Sequence, residues 1–142
     1  MACATAVNVR IPRGKQEREH WHMTDEDGIR RTIANYCRLF DSKHWHELGK
    51  IFTEDATLTS RRGTVKGRVE VIGDLKAALG DNYHGTLFTS NIVITVDGGD
   101  ARAESDFLGV EDNKILAVGT YVDILIKSGD SWLLASKEIR LK

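Results

Sequence analysis

An aspartate, Asp41, closes the stretch NYCRLFDSKHWHEL at residues 35–48, whose apolar residues mark the buried face of a helix. It lies four residues after Cys37 and eight after Ile33, so helical geometry turns its carboxylate inward. A carboxylate there needs a partner, and two readings are open. Asp41-Ser42 immediately precedes a new helix, where either side chain makes a good N-cap, and spacing alone favours that reading. The other is that Asp41 points into the interior and orients or charges a general base. His84, in Asn82-Tyr83-His84-Gly85 just ahead of a long β-rich run, is a candidate for that base because an imidazole titrates near neutrality. Read on its own, the residue is better taken as a surface-loop histidine.

Two further histidine pairs, His20-Trp21-His22 and His44-Trp45-His46, invite a metal reading. On a helix, residues two apart point to different sides, whereas a helical metal pair wants i and i+4 spacing. His20 and His22 have no cysteine or carboxylate cluster near them at ligand spacing. No metal site is therefore expected, and Trp45 reads as the buried member of its triplet. On the later β-rich runs Glu104 and Asp106 share one face, Tyr121 and Asp123 another, and Glu138 interrupts the last. Most such residues are solvated, but Asp123 sits amid apolar neighbours. The sequence has no Gly-rich phosphate loop, no G-x-S-x-G elbow and no cysteine with a plausible base, which argues against cofactor and covalent chemistry; no cofactor is expected.

The elements that must position these residues follow from periodicity. Thr24, followed by Asp25, Glu26 and Asp27, is a helix start, and Ile29, Ile33, Tyr36, Cys37 and Phe40 give that helix one apolar stripe. A short helix from Lys43 to about Lys50, a strand over Ala56–Ser60, a turn at Arg61-Arg62-Gly63 and a third helix through Val69, Ile72, Leu75 and Leu79, ended by Gly80, come next. The period then becomes two. Thr86–Val96, Ala101–Val110, Lys114–Lys127 and Trp132–Leu141 read as strands joined by hairpin links such as Asp97-Gly98-Gly99-Asp100. Helices first and strands afterwards predict an α+β fold: a cone-shaped, curved antiparallel sheet with about three N-terminal helices closing an apolar pocket.

The whole chain sets bounds on partners. Its 142 residues make a single domain from residue 23 to 142, behind a 22-residue extension that is mobile or docks on a neighbour. Twenty basic against twenty-one acidic side chains leave a net charge of −1, so nucleic acid and anionic membranes are not expected partners. No run approaches a signal peptide or a membrane span, and two cysteines, Cys3 and Cys37, suit a reducing compartment. A cytoplasmic protein is expected.

The order of elements and several motifs together resemble the SnoaL-like branch of the nuclear-transport-factor-two-like superfamily. The resembling residues are Tyr36-x4-Asp41-x3-Trp45, Phe52-Thr53-Glu54-Asp55-Ala56, Phe88-Thr89-Ser90-Asn91 with Asp97-Gly98-Gly99-Asp100-Ala101, and Gly119-Thr120-Tyr121-x-Asp123 followed by Gly129-x2-Trp132. That branch includes polyketide cyclases, scytalone dehydratase, a bile-acid dehydratase and a dehydrochlorinase, in which an aspartate and a histidine form a cofactor-free proton-abstracting dyad. The resemblance favours the functional reading of Asp41 over the cap, and Tyr36 looks like the tyrosine that the bile-acid enzyme places before its aspartate. Several relatives carry the histidine four residues before the asparagine matched by Asn91; this chain has Leu87 there, and His84 three residues earlier.

What the resemblance implies is a cofactor-independent lyase or isomerase, of dehydratase or cyclase type, acting on a small apolar, oxygenated or cyclic compound. Asp41 and His84 would be catalytic, with Tyr36 or Tyr121 donating to a developing oxyanion. Trp45, Leu87, Asn91, Phe107 and Tyr121 would contact the substrate. A homodimer or homotrimer built through the sheet is implied as well. The alternative is a ligand-binding or assembly module of the same fold with the dyad lost, or a small partner of a larger oxygenase.

Overall fold

Thr24 opens the first helix. Its hydroxyl accepts from the Asp27 amide at 3.1 Å, and the Asp27 carboxylate accepts from the Thr24 amide at 3.4 Å. This reciprocal cap satisfies free amides at the positive end of the helix dipole. The computed structural model describes residues 23–142; the extension expected over residues 1–22, with His20 and His22, lies outside them. In chain order the elements are α1 (Asp25–Asp41), α2 (Trp45–Gly49), β1 (Phe52–Ser60), β2 (Gly63–Lys66), α3 (Arg68–Leu79), β3 (Thr86–Asp97), β4 (Asp100–Glu111), β5 (Lys114–Ser128) and β6 (Ser131–Leu141).

The stripe on α1 is buried as its spacing predicts: Ile29, Ile33, Tyr36, Cys37 and Phe40 all face inward. Strands β3 to β6 form the expected meander. Its middle turn, Asp112-Asn113, has φ of 51° and 62°, the paired left-handed geometry that lets a two-residue link match the twist of its strands. Alternation then sorts the faces, so that Ala101, Ala103, Ser105 and Phe107 of β4 are buried. Phe52, Leu58, Leu125 and Leu134 are almost completely enclosed, each stabilising the fold by roughly 1.5–3 kcal/mol.

The sheet order is β2-β1-β6-β5-β4-β3. An all-antiparallel sheet is not what forms: β1 runs parallel to β6, making the sheet mixed. The reason is topological. After the β1–β2 hairpin the chain crosses through α3 to the far edge, and the meander walks back until β6 lies beside β1. Strand β1 also begins four residues earlier than its local pattern suggests, and β2 is a short edge strand of which the sequence reading takes only Gly63, as the end of a turn, and leaves the rest unassigned.

Register shifts of one residue in the β3–β4, β4–β5 and β5–β6 ladders, and of three residues in the β1–β6 ladder, bend the sheet, which remains open. Helix α1 packs on β3 and β6 and α3 on β1, so the helices cover one face. None of the described helices is long and apolar enough to cross a membrane.

Candidate functional site

Between α1, α3 and the helix-facing side of β4–β6 lies a cavity of about 460 Å³, within the size range of small-molecule sites. Its walls are mainly apolar, with Phe40, Leu75, Leu79, Leu87, Phe107 and Ile139 among them. Polar atoms enter through the phenols of Tyr36, Tyr83 and Tyr121 and through Arg61 and Arg62 at the β1–β2 turn.

Asp41 ends α1 beside this cavity, and it does not cap α2. The cap residue of α2 is His44, which makes no side-chain cap bond, while the end of α1 is closed by Ser42, whose hydroxyl donates to the Arg38 carbonyl at 2.8 Å. The Asp41 carboxylate is instead gripped from the far side of the fold. The Leu87 amide, at the start of β3, donates to its two oxygens at 3.2 and 3.0 Å, and the Tyr83 hydroxyl donates to Oδ1 at 3.3 Å. Leu87 and Tyr83 both line the cavity. Burial holds the Asp41 carboxyl above the usual aspartate range, against the opposing pull of these two donors and of Arg38. Burial, and then the neighbouring Asp41 charge, push the Tyr83 phenol well up, so it stays a hydrogen-bond donor.

The loop that delivers Tyr83 depends on Gly85. A Cβ at that position would stand 2.6 Å from the Tyr83 ring and 2.6 Å from the Val110 carbonyl oxygen, distances no side chain tolerates. Only glycine lets the ring fold back towards α1.

A second polar group lies beneath the cavity floor. Lys137 on β6 and Asp123 on β5 are directly opposite in register, with Nζ to Oδ1 at 3.0 Å and both side chains 1% exposed. The ammonium lies 4.1 Å from the centre of the Tyr36 ring and 3.7 Å from that of Tyr121, within cation–π range. Tyr121 in turn stacks on Phe107, with ring centres 4.1 Å apart and planes 6° apart. Burial drives both phenols far above their ordinary range, so they remain protonated donors. Burial also raises Asp123, though Lys137 opposes it. Burial pushes the Cys37 thiol up to about 11, which leaves it inert as a nucleophile.

Of the residues singled out from sequence, Tyr36, Leu87, Phe107 and Tyr121 line the cavity, and Asp41 is bonded to its wall. Three are elsewhere. Trp45 is half-buried, edge-on to Phe40 with ring centres 5.9 Å apart, behind the wall. Asn91, at φ 52°, is exposed within the β3–β4 register shift and donates to Asp106 at 2.8 Å. The shift breaks the alternation that would have turned it inward.

His84 is not brought to Asp41. Its ring is largely exposed, with Nδ1 3.0 Å from the Asn82 carbonyl oxygen and Nε2 3.1 Å from Asp112, and these contacts raise its pKa. The phenol one residue earlier occupies the place at Asp41 that the sequence reading gave to the imidazole. His84, Glu111 and Asp112 form the one cluster among the described residues with ligand atoms close enough for a metal, all within 4.8 Å, but their contacts are ion pairs on the exposed rim.

Comparison with known proteins gives this architecture a lineage. No curated protein sequence is significantly similar to the chain. Among solved structures, a protein of unknown function from Mycobacterium tuberculosis is 25% identical, with a TM-score of 0.71 over 80% of this chain and 69% of that one. A candidate scytalone dehydratase from Novosphingobium aromaticivorans is 22% identical, with a TM-score of 0.73 over 83% and 84%. The β subunit of a candidate aromatic-ring-hydroxylating dioxygenase from the same organism is 19% identical, with a TM-score of 0.66 over 81% and 87%. The family profile of the SnoaL-like domain matches residues 21–138, nearly the whole of the described fold, and the chain therefore belongs to the SnoaL-like domain family.

Proposed function

We propose that the chain is a cofactor-independent lyase or isomerase, of dehydratase or cyclase type, that abstracts a proton from a small apolar, oxygenated or cyclic compound. What carries the reading is the Asp41 carboxylate: it has no cation within bonding distance among the described residues, burial raises its affinity for a proton, and its two donors line the cavity. Asp41 takes a proton from a carbon next to a carbonyl, and the electron pair moves onto the carbonyl oxygen. Tyr36 or Tyr121 donates a hydrogen bond to that oxyanion. The proton on Asp41 then passes to a leaving hydroxyl, which departs as water, or returns to another carbon; either way the carboxylate is regenerated. The structural likeness to a candidate scytalone dehydratase agrees with this chemistry.

The test is carbon-bound proton exchange. Small cyclic hydroxyketones are incubated in deuterated water with the protein, exchange is followed by NMR and water loss by absorbance, and Asp41→Asn is the control. Exchange that falls by about a hundredfold or more in the variant supports the role, whereas equal rates in both proteins remove Asp41 from it.

The second reading, a ligand-binding or assembly module, draws on the outward-facing His84 and on the likeness to a dioxygenase β subunit. Tight binding of such compounds with no exchange in either protein would put it first. We take the working unit to be a homodimer or homotrimer through the outer sheet face, where Val93, Ile115, Ile124 and Ile126 are exposed; sedimentation at a single monomer mass would remove that assembly.

A further inference from the structure

The ligand's chemical class is constrained by charge at the mouth. Arg61 and Arg62 are the only charged side chains among the residues that line the cavity, and no carboxylate is among them. Asp74 accounts for one of the two: its oxygens accept from Arg62 at 2.8 and 3.4 Å. Arg61 is exposed and has no ion-pair or side-chain hydrogen-bond partner among the described residues. A shallower recess shares Arg61, Leu116, Ala117 and Leu141 with the cavity and adds Lys142. The vestibule is thus an apolar surface with cations at its rim.

Topology gives this charge a direction. Arg61 sits at the tip of the β1–β2 hairpin, near one edge of the sheet, whereas Asp41 is tied to Leu87 on β3, the opposite edge strand. An anion beside Asp41 would be repelled by its carboxylate; one held at Arg61 would not.

We propose that the cavity accepts an amphipathic organic acid, a small cyclic or aromatic body bearing a carboxylate or sulfonate, with the anion on Arg61 and the apolar body directed towards Tyr83 and Asp41. This rests on the reading of the cavity as the substrate site. A guanidinium donates in a fixed planar fork that matches both oxyanions, and an unpartnered one at the mouth of an apolar pocket lets the acid keep part of its hydration while the body is buried.

The experiment uses two fluorescent probes with the same body, 8-anilinonaphthalene-1-sulfonate and the uncharged N-phenyl-1-naphthylamine, titrated against the full chain at low and high salt. The expected result is tighter binding of the sulfonate. Arg61→Gln should weaken it by about fivefold to tenfold and the neutral probe by less than about twofold, with the gap shrinking in high salt. 2-Naphthoate should displace the sulfonate better than 2-naphthamide does. Ala78→Trp, a plug from an exposed position on the cavity lining, should weaken both probes. Equal affinities, unchanged in Arg61→Gln, would overturn the acid preference while leaving the cavity reading standing. Failure of both probes to bind, or binding indifferent to Ala78→Trp, would overturn both.

Discussion

Two carboxylates on the inner side of this fold, Asp41 and Asp123, have been given opposite surroundings. Asp123 faces an ammonium at 3.0 Å, both side chains enclosed, so the pair is neutral as a unit. Asp41 faces only an amide and a phenol, at the wall of a cavity. The difference teaches which carboxylate is free to do chemistry. A buried carboxylate with a cation is held in one protonation state, whereas one with only neutral donors and a raised pKa can exchange a proton with a ligand. On the proposed reading Asp123 and Lys137 serve the site indirectly: the ammonium lies against the rings of Tyr36 and Tyr121.

The hardest test of the contrast is to remove one member of the neutral pair. Lys137→Met leaves a buried carboxylate with no cation and should cost about 3–5 kcal/mol in urea denaturation, while Lys137→Met combined with Asp123→Leu should recover most of the loss. If the single variant keeps its stability and instead loses ligand turnover, the pair is chemical and the distinction fails.

Asp41→Asn should behave in the opposite way. The amide oxygen can still accept from Leu87 and Tyr83, so the fold stays intact while proton exchange is lost. Stability against pH separates the two carboxylates further. Because the folded Asp41 binds its proton more tightly than the unfolded chain does, stability falls as pH rises from the unfolded aspartate value through the raised folded one. Asp41→Asn should remove that descending component from a series of denaturation curves; an unchanged slope would mean that burial is not what raises the group. In turnover the sign reverses, since a base must be ionised: activity should rise with pH through the same raised value.

Tyr83→Phe is a gentler perturbation of the same region. It deletes one of the donors that lower the Asp41 pKa, so the acid limb of the pH–rate profile should move to higher pH. Turnover at the optimum should fall by about threefold to tenfold, the worth of one hydrogen bond. A limb that stays in place would show that the phenol does not reach the carboxylate in solution.

Much of the scaffold was legible because its signals are local. The stripe on α1, the capping acids after Thr24 and the hairpin links predicted the helix, the meander and the inward turn of Asp41. What escaped was set by distant or fine-grained geometry. The parallel β1–β6 pairing joins strands at opposite ends of the sequence. Lys137 reads as an outer-face lysine because counting back from the Ser128–Ser131 turn sets Asp123 opposite Ser136. The register shift between Ile124 and Leu125 moves the partner on by one residue and turns Lys137 inward. Tyr83 was hidden for a similar reason: its direction is decided by the missing Cβ of Gly85 rather than by any periodicity.

The smallest expected effect belongs to His84, and it bears most directly on the aspartate–histidine dyad that the family resemblance implies. The imidazole is largely exposed, and its raised pKa comes first from the Asn82 carbonyl and then from Asp112 and Glu111. A histidine whose folded pKa is raised contributes stability below its unfolded value and loses that contribution as pH rises through the folded one. His84→Gln should therefore leave the melting temperature unchanged at alkaline pH and lower it slightly in acid. With Asp41 held by Tyr83 and Leu87, the variant should keep full turnover and an unmoved acid limb. A loss as large as that of Asp41→Asn, with no change in stability, would instead mean that substrate draws the loop inward and assembles the dyad in the bound state, making Tyr83 a placeholder for the imidazole.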